Sequence, residues 1–87
     1  MMRLVFTECA WLDYVWFQQQ DRKLLKRINL LIKESLRSPV EGIGKPERLR
    51  RDLVGCWSRR INDEHRLVYR IEGNDLVVLA CRYHYER

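Results

Sequence analysis

The sequence predicts an α+β domain in which two consecutive N-terminal helices lie on an antiparallel sheet. Two observations carry this. From residue 8 to about residue 36, apolar residues recur at the helical period with one break near Asp21, and from residue 56 onward strand-forming stretches alternate with the short polar turns NDE and GN. A third observation separates the halves: Pro39, Gly42, Gly44, Pro46 and Gly55 punctuate residues 38–55, so neither periodicity runs through them.

Residues 3–6 are a short strand candidate. Thr7 then offers a helix N-cap, with Glu8 placed to favour the helix dipole. The first helix should run from residue 8 to about 19, with Trp11, Tyr14, Val15 and Gln18 on one side and Leu12 and Trp16 widening the apolar stripe. Asp21 can cap a second helix to about residue 36, in which Leu24, Leu25, Ile28, Leu31, Ile32 and Leu36 form the buried stripe. Its outer surface carries Lys23, Lys26, Arg27 and Lys33, either as plain solvation or as a surface for ribosomal RNA.

Loops as long as 38–55 are uncommon in small domains. Ile43, Leu49 and Leu53 supply apolar anchors and favour an ordered loop carrying Lys45, Glu47, Arg48, Arg50 and Arg51. Three strands follow, over residues 56–61, 66–72 and 75–83, as an antiparallel meander. The last contains LVVLAC, apolar on both faces, which suits a central strand covered on both sides.

A chain of 87 residues makes one domain, spanning 1–87, and its 46% hydrophobic and 33% charged residues are those of a globular protein. No apolar run approaches the roughly 20 residues of a membrane span. The opening MMRLVFTECAW lacks a separate apolar stretch and cleavage site, so no signal peptide and a cytoplasmic location are expected. Cys9, Cys56 and Cys81 form no CxxC pair and lack zinc-ligand spacing with His65 and His84, so reduced thiols and no metal or cofactor are expected.

The formal net charge is +5, and many of the cations are arginines close to aromatics. The planar guanidinium suits phosphate, which makes RNA, DNA or an acidic protein segment the expected partner. In the strands, Ser58 and Arg60 alternate with Trp57, Arg59 and Ile61, and Arg66, Val68 and Arg70 with Leu67, Tyr69 and Ile71, so one set of arginines must face away from the apolar layer. The chain then closes on ACRYHYER, with Arg82, His84 and Tyr85 at the end of an apolar strand that can hold them in place.

Cleaving RNA without a metal needs a base for the 2′-hydroxyl, cations for the charge growing on phosphate, and an acid for the departing 5′-oxygen. A carboxylate, arginine and histidine fit those roles, and histidine titrates near neutrality. On residue types alone, Glu47 reads more readily as a loop ion pair and His84 as a capped strand end.

The ordered set GKPE, WSRRI, EHRLVY and CRYHY, together with WLDYVWFQQQDRKLLKRINLLIKE, resembles the YoeB branch of the RelE superfamily over essentially the whole chain. The resemblance implies a RelE-like fold, with two N-terminal helices packed on a twisted antiparallel β-sheet. It also implies the toxin of a type II toxin–antitoxin system: an mRNA endoribonuclease working in the A site of the 70S ribosome and inhibiting translation. Position by position, Glu47 of GKPE matches the general base, Arg66 of EHRLVY the phosphate-stabilising cation, His84 the general acid and Tyr85 the tyrosine that shapes the site.

Arg50 stands where the family has a basic residue, usually lysine, and Lys45 and Arg82 join it as candidate phosphate contacts. Arg59 and Arg60 either bind RNA or solvate the sheet edge, while His65 and Trp57 read as structural. Family members end at or just after the residue matching Tyr85, whereas this chain carries Glu86 and Arg87. The implied partners are mRNA, ribosomal RNA and a YefM-like antitoxin whose acidic segment would order on the basic site, with operator DNA reached only through the antitoxin complex. A homodimer is left open.

Overall fold

In the computed structural model, which describes residues 2–83, the Thr7 hydroxyl accepts a hydrogen bond from the Ala10 amide at 3.1 Å and opens helix α1 (Glu8–Gln20). Asp21 ends that helix and begins the next. Its amide donates to the Phe17 carbonyl, while its side-chain oxygen accepts from the Leu24 amide at 3.1 Å and caps α2 (Arg22–Arg37). Caps of this kind are worth about 1 kcal/mol each. A single residue therefore suffices to fold the two helices back on one another.

Five strands complete the fold: β1 (Arg3–Phe6), β2 (Glu47–Arg48), β3 (Cys56–Arg60), β4 (Arg66–Glu72) and β5 (Asp75–Ala80). They form one sheet in the order β1-β5-β4-β3-β2, antiparallel except where β1 lies parallel to β5. An Arg3–Asp75 ion pair at 2.7 Å sets the register at one end of that parallel pair. At the other, the Thr7 amide and hydroxyl donate to the carbonyls of Val78 and Leu79. No helix among the described residues is long and apolar enough to cross a membrane.

Both helices cover one face of the sheet. Ala10, Phe17, Ile28, Leu31 and Ile32 meet Leu67, Tyr69, Leu76, Val78 and Cys81 in the main core. On the opposite face Leu49 packs with Cys56 and Val68, flanked by Leu53, Leu79 and Ala80. Strand β5 is thus interior and covered on both sides, as its composition predicts.

Three expectations need correcting. The buried line of α1 is Ala10 and Phe17 with Tyr14 and Trp16 packed beside them, whereas Trp11 and Leu12 are exposed. Alpha-helix α1 is apolar around most of its circumference, so period alone does not select the face. Ile43 is exposed and does not anchor the loop. Finally, β5 ends at Ala80 and not at 83, because the ladder shifts between Val68 and Tyr69: Val68 pairs with Ala80 and Tyr69 with Val78. That bulge turns Cys81 into the main core, where its amide donates to the Asp13 carboxylate of α1 at 3.1 Å.

The loop 38–55 is ordered, with β2 and a 3₁₀ turn at Arg51–Leu53 inside it. Gly44 sits at φ +82°, and a Cβ there would lie 2.8 Å from Leu31 Cδ2 and 3.1 Å from Arg59 Cβ. Gly44→Ala is expected to cost about 1–3 kcal/mol through overpacking and strain, read as a lower midpoint in urea unfolding. An unchanged midpoint would show that the loop yields at no cost.

Candidate active site

Residues paired across strands present their side chains to the same face. Glu47 pairs with Ser58, Ser58 with Val68, and Arg60 with Arg66, which places Glu47, Arg60 and Arg66 together on the face opposite the helices. Glu47 lies two strands from β4 and one side-chain repeat along from Arg66, so about 10 Å across and about 7 Å along separate their backbones. A nucleotide and its phosphate are of that size. Buried Ser58 and Val68 floor the space between them.

The Glu47 side chain is exposed and makes no hydrogen bond or ion pair with another described residue. Arg66 is half-buried and held: its Nη1 donates to the carbonyls of Asn62 at 2.5 Å and His65 at 3.0 Å. Those bonds leave the rest of the guanidinium available as an oriented cation. Lys45 and Arg50 are exposed on the loop flanking Glu47, and the exposed Arg60 reaches only to 3.9 Å from the Asp63 carboxylate.

Arg59 does not belong to this face. Its alternation in β3 turns it under the helices, where it is fully buried and donates to Tyr69 Oη at 3.0 Å and to the carbonyls of Ile43 at 3.0 Å, Ser38 at 2.5 Å and Glu41 at 2.9 Å. A guanidinium so engaged has no side left for phosphate, which removes Arg59 from the RNA-binding set. Arg82 lies with its guanidinium 3.7 Å over the Trp16 ring and 4.6 Å from the Tyr83 ring, and its Nε is buried without a hydrogen-bond partner among the described residues. It reaches a phosphate only by leaving the rings.

His84 and Tyr85 lie outside the described residues. What is described is the point from which they leave. The Tyr83 carbonyl accepts from the Arg66 amide at 3.1 Å, and the Tyr83 amide donates to His65 Nδ1 at 2.7 Å. The chain therefore exits beside the backbone of Arg66.

Burial pushes the His65 imidazole below its ordinary pKa, against the pull of the Glu64 carboxylate and with the help of the Arg82 charge. The folded state thus prefers neutral His65, and the stability it contributes is present above about pH 6.5 and is lost as pH falls below that. Burial, with Asp13 nearby, raises the Cys81 thiol to about 12, so this cysteine is inert. Cys9 is exposed, contrary to its apolar surroundings in sequence. Among the described residues no three His, Cys, Asp or Glu side chains group as a metal site.

Sequence reasoning assigned no task to Asn62, Asp13 or Tyr83, which hold Arg66 and the exit of the chain. Only the polar turn and the apolar strand end pointed to that region.

Comparisons with known proteins cover nearly the whole chain. Residues 6–85 match the profile described as the YoeB-like toxin of bacterial type II toxin-antitoxin systems. The chain is 63% identical over 86 residues to Toxin YoeB of Synechocystis sp., covering 99% of this chain and 100% of that one. A YoeB/ParE toxin from Agrobacterium tumefaciens superposes with a TM-score of 0.92 at 48% identity, covering 97% of this chain and 100% of that chain. Two structures from Staphylococcus aureus are similar as well: a YoeB dimer, with a TM-score of 0.89 at 48% identity over 97% of this chain and 98% of the other, and a YoeB-YefM complex, with 0.88 at 46% over 98% and 99%. With its fold and nearly its full length in common with these proteins, the chain belongs to the YoeB-like toxins of bacterial type II toxin-antitoxin systems.

Proposed function

We propose that this toxin is an mRNA endoribonuclease that acts in the A site of the 70S ribosome and so inhibits translation. The observation that carries the reading is the convergence of Glu47, Arg66 and the exit at Tyr83 on the edge of one basic sheet face. Glu47 takes the proton from the 2′-hydroxyl, and the resulting oxygen attacks the adjacent phosphorus. Arg66 stabilises the charge that grows on the phosphate oxygens, with Lys45, Arg50 and Arg60 holding the strand. His84 gives a proton to the departing 5′-oxygen, leaving a 2′,3′-cyclic phosphate and a 5′-hydroxyl, while Tyr85 shapes the site and stacks on a base. The route uses side chains alone and needs no cofactor.

The similar complex from Staphylococcus aureus supports a YefM-like antitoxin as the regulator, its acidic segment covering the basic face, and the similar dimer supports self-association. Together toxin and antitoxin would bind operator DNA, the toxin through the antitoxin. The setting of this activity is the cytoplasm, where mRNA and ribosomes are found.

Translating ribosomes and naked RNA digested side by side test the reading. Cleavage is expected on the ribosome, with little on naked RNA, and His84→Gln should lower it by about 10²–10⁴-fold. Equal cleavage of both substrates would mean a ribonuclease that needs no ribosome. Absence of cleavage with ribosome binding retained would mean a binding module.

A further inference from the structure

The mechanism above assigns nothing to His65, a buried imidazole whose bonds all go to the site's framework. Asn62 Oδ1 accepts from the amides of Glu64 at 2.9 Å and His65 at 2.7 Å and so closes the β3–β4 turn. The His65 carbonyl accepts from the Ile61 amide at 3.1 Å and from Arg66 Nη1 at 3.0 Å. The ring lies edge-on to Phe17 of α1 at 5.1 Å, which fixes its plane, and Nδ1 faces the Tyr83 amide. Because Nδ1 accepts, the ring proton sits on Nε2, 3.5 Å from the Glu64 carboxylate.

Tyr83 itself is unusual, with φ at +66°, a left-handed conformation that a tyrosine keeps only where its surroundings impose it. Four contacts impose it here. The Asp13 carboxylate holds the Cys81 amide, the Trp16 ring carries the Arg82 guanidinium, and His65 with the Arg66 amide holds both polar groups of the Tyr83 backbone.

We infer that His65 is a positioning residue: one side chain and its own carbonyl set both the Arg66 guanidinium and the point at which the chain departs toward His84. The inference rests on the proposed cleavage reaction and adds a residue to it. In sequence the proposed proton donor follows the end of β5 whereas the phosphate-binding cation opens β4, and an error of about 1 Å between such groups is enough to cost about 10²-fold in rate. His65 is the link that ties the two to a single turn.

Two variants separate its acceptor from its bulk. His65→Phe keeps a ring against Phe17 and removes the acceptor; His65→Asn loses the ring but places an oxygen near the position of Nδ1. On translating ribosomes His65→Phe is expected to lower kcat by about 10²-fold with KM little changed, and His65→Asn to recover a large part of the loss. Amide hydrogen exchange should follow the same order, with the Tyr83 amide protected in the wild type, fast in His65→Phe and protected again in His65→Asn. Full kcat in His65→Phe, or equal loss in both variants, overturns the inference. The wild-type protein supplies an arm that needs no variant: ¹⁵N spectra should show His65 with its proton on Nε2, and a proton on Nδ1 overturns the inference too. Failure of the wild type to cleave RNA would defeat the proposed function and the catalytic half of this inference. The Tyr83 exchange data would still decide whether His65 holds the chain.

Discussion

Arg59→Met is expected to destabilise the protein by about 3 kcal/mol, a fall in Tm of roughly 12–24 °C for a domain of this size. Methionine nearly matches the unbranched stem of arginine, so packing against Tyr69 changes little and the loss isolates the hydrogen bonds. The guanidinium joins Tyr69 Oη to the carbonyls of Ser38, Glu41 and Ile43, and Tyr69 Oη in turn donates to the Pro39 carbonyl at 2.6 Å. Each bond to a charged donor is worth about 1.5–3 kcal/mol, but the loop carbonyls lie near the surface and regain water, which keeps the total well below the sum. Arg59→Lys should recover little, since an ammonium cannot span the fork that these four oxygens require. Chemical denaturation of the three proteins checks this. A loss under about 1 kcal/mol for Arg59→Met would show that the loop holds its shape without the arginine.

Arg66→Ala and Glu47→Ala are each expected to lower cleavage on the ribosome by about 10²–10³-fold, one through loss of the cation and the other through loss of the base. Within the proposed mechanism the double variant should fall far short of the product of the two losses, because the groups serve a single proton transfer and displacement. Glu47 is exposed and unpaired among the described residues, so its removal should leave stability intact. Arg66 also binds the carbonyls of Asn62 and His65, and circular dichroism must accompany its kinetics. Fully multiplicative losses would place the two residues in separate steps.

The helices, their shared cap at Asp21 and the interior position of β5 were all legible, because caps, period and two-sided apolarity are local properties of the chain. The face chosen by α1 was not. With Trp11, Leu12, Tyr14, Val15, Trp16 and Phe17 in near-continuous run, only the sheet's shape decides which of them it buries. Arg59 and Arg60 illustrate the same limit for charge. Adjacent in sequence, they point to opposite faces, and the burial of Arg59 depends on carbonyls contributed from 16 to 21 residues away. The motifs located Glu47 and Arg66, whereas the clamp at His65 and Tyr83 arises from a bulge and a left-handed residue that no composition announces.

The pairing of β1 with β5 bears on how the chain folds during synthesis. Arg3 meets Asp75, partners 72 residues apart, and β5, an interior strand of the sheet, is the last in sequence among the described residues. Contacts of such separation form slowly, since the loop-closure entropy is lost before any of them is gained. Until β5 emerges, α1 and α2 have no complete surface on which to bury Phe17, Ile28 and Leu31, and β1 has no partner. Part of the emerging chain's apolar surface therefore stays uncovered until then, and Arg66 acquires its neighbour Tyr83 only after β5 has been made. Vectorial synthesis delays assembly of the basic face until nearly the entire domain has been made.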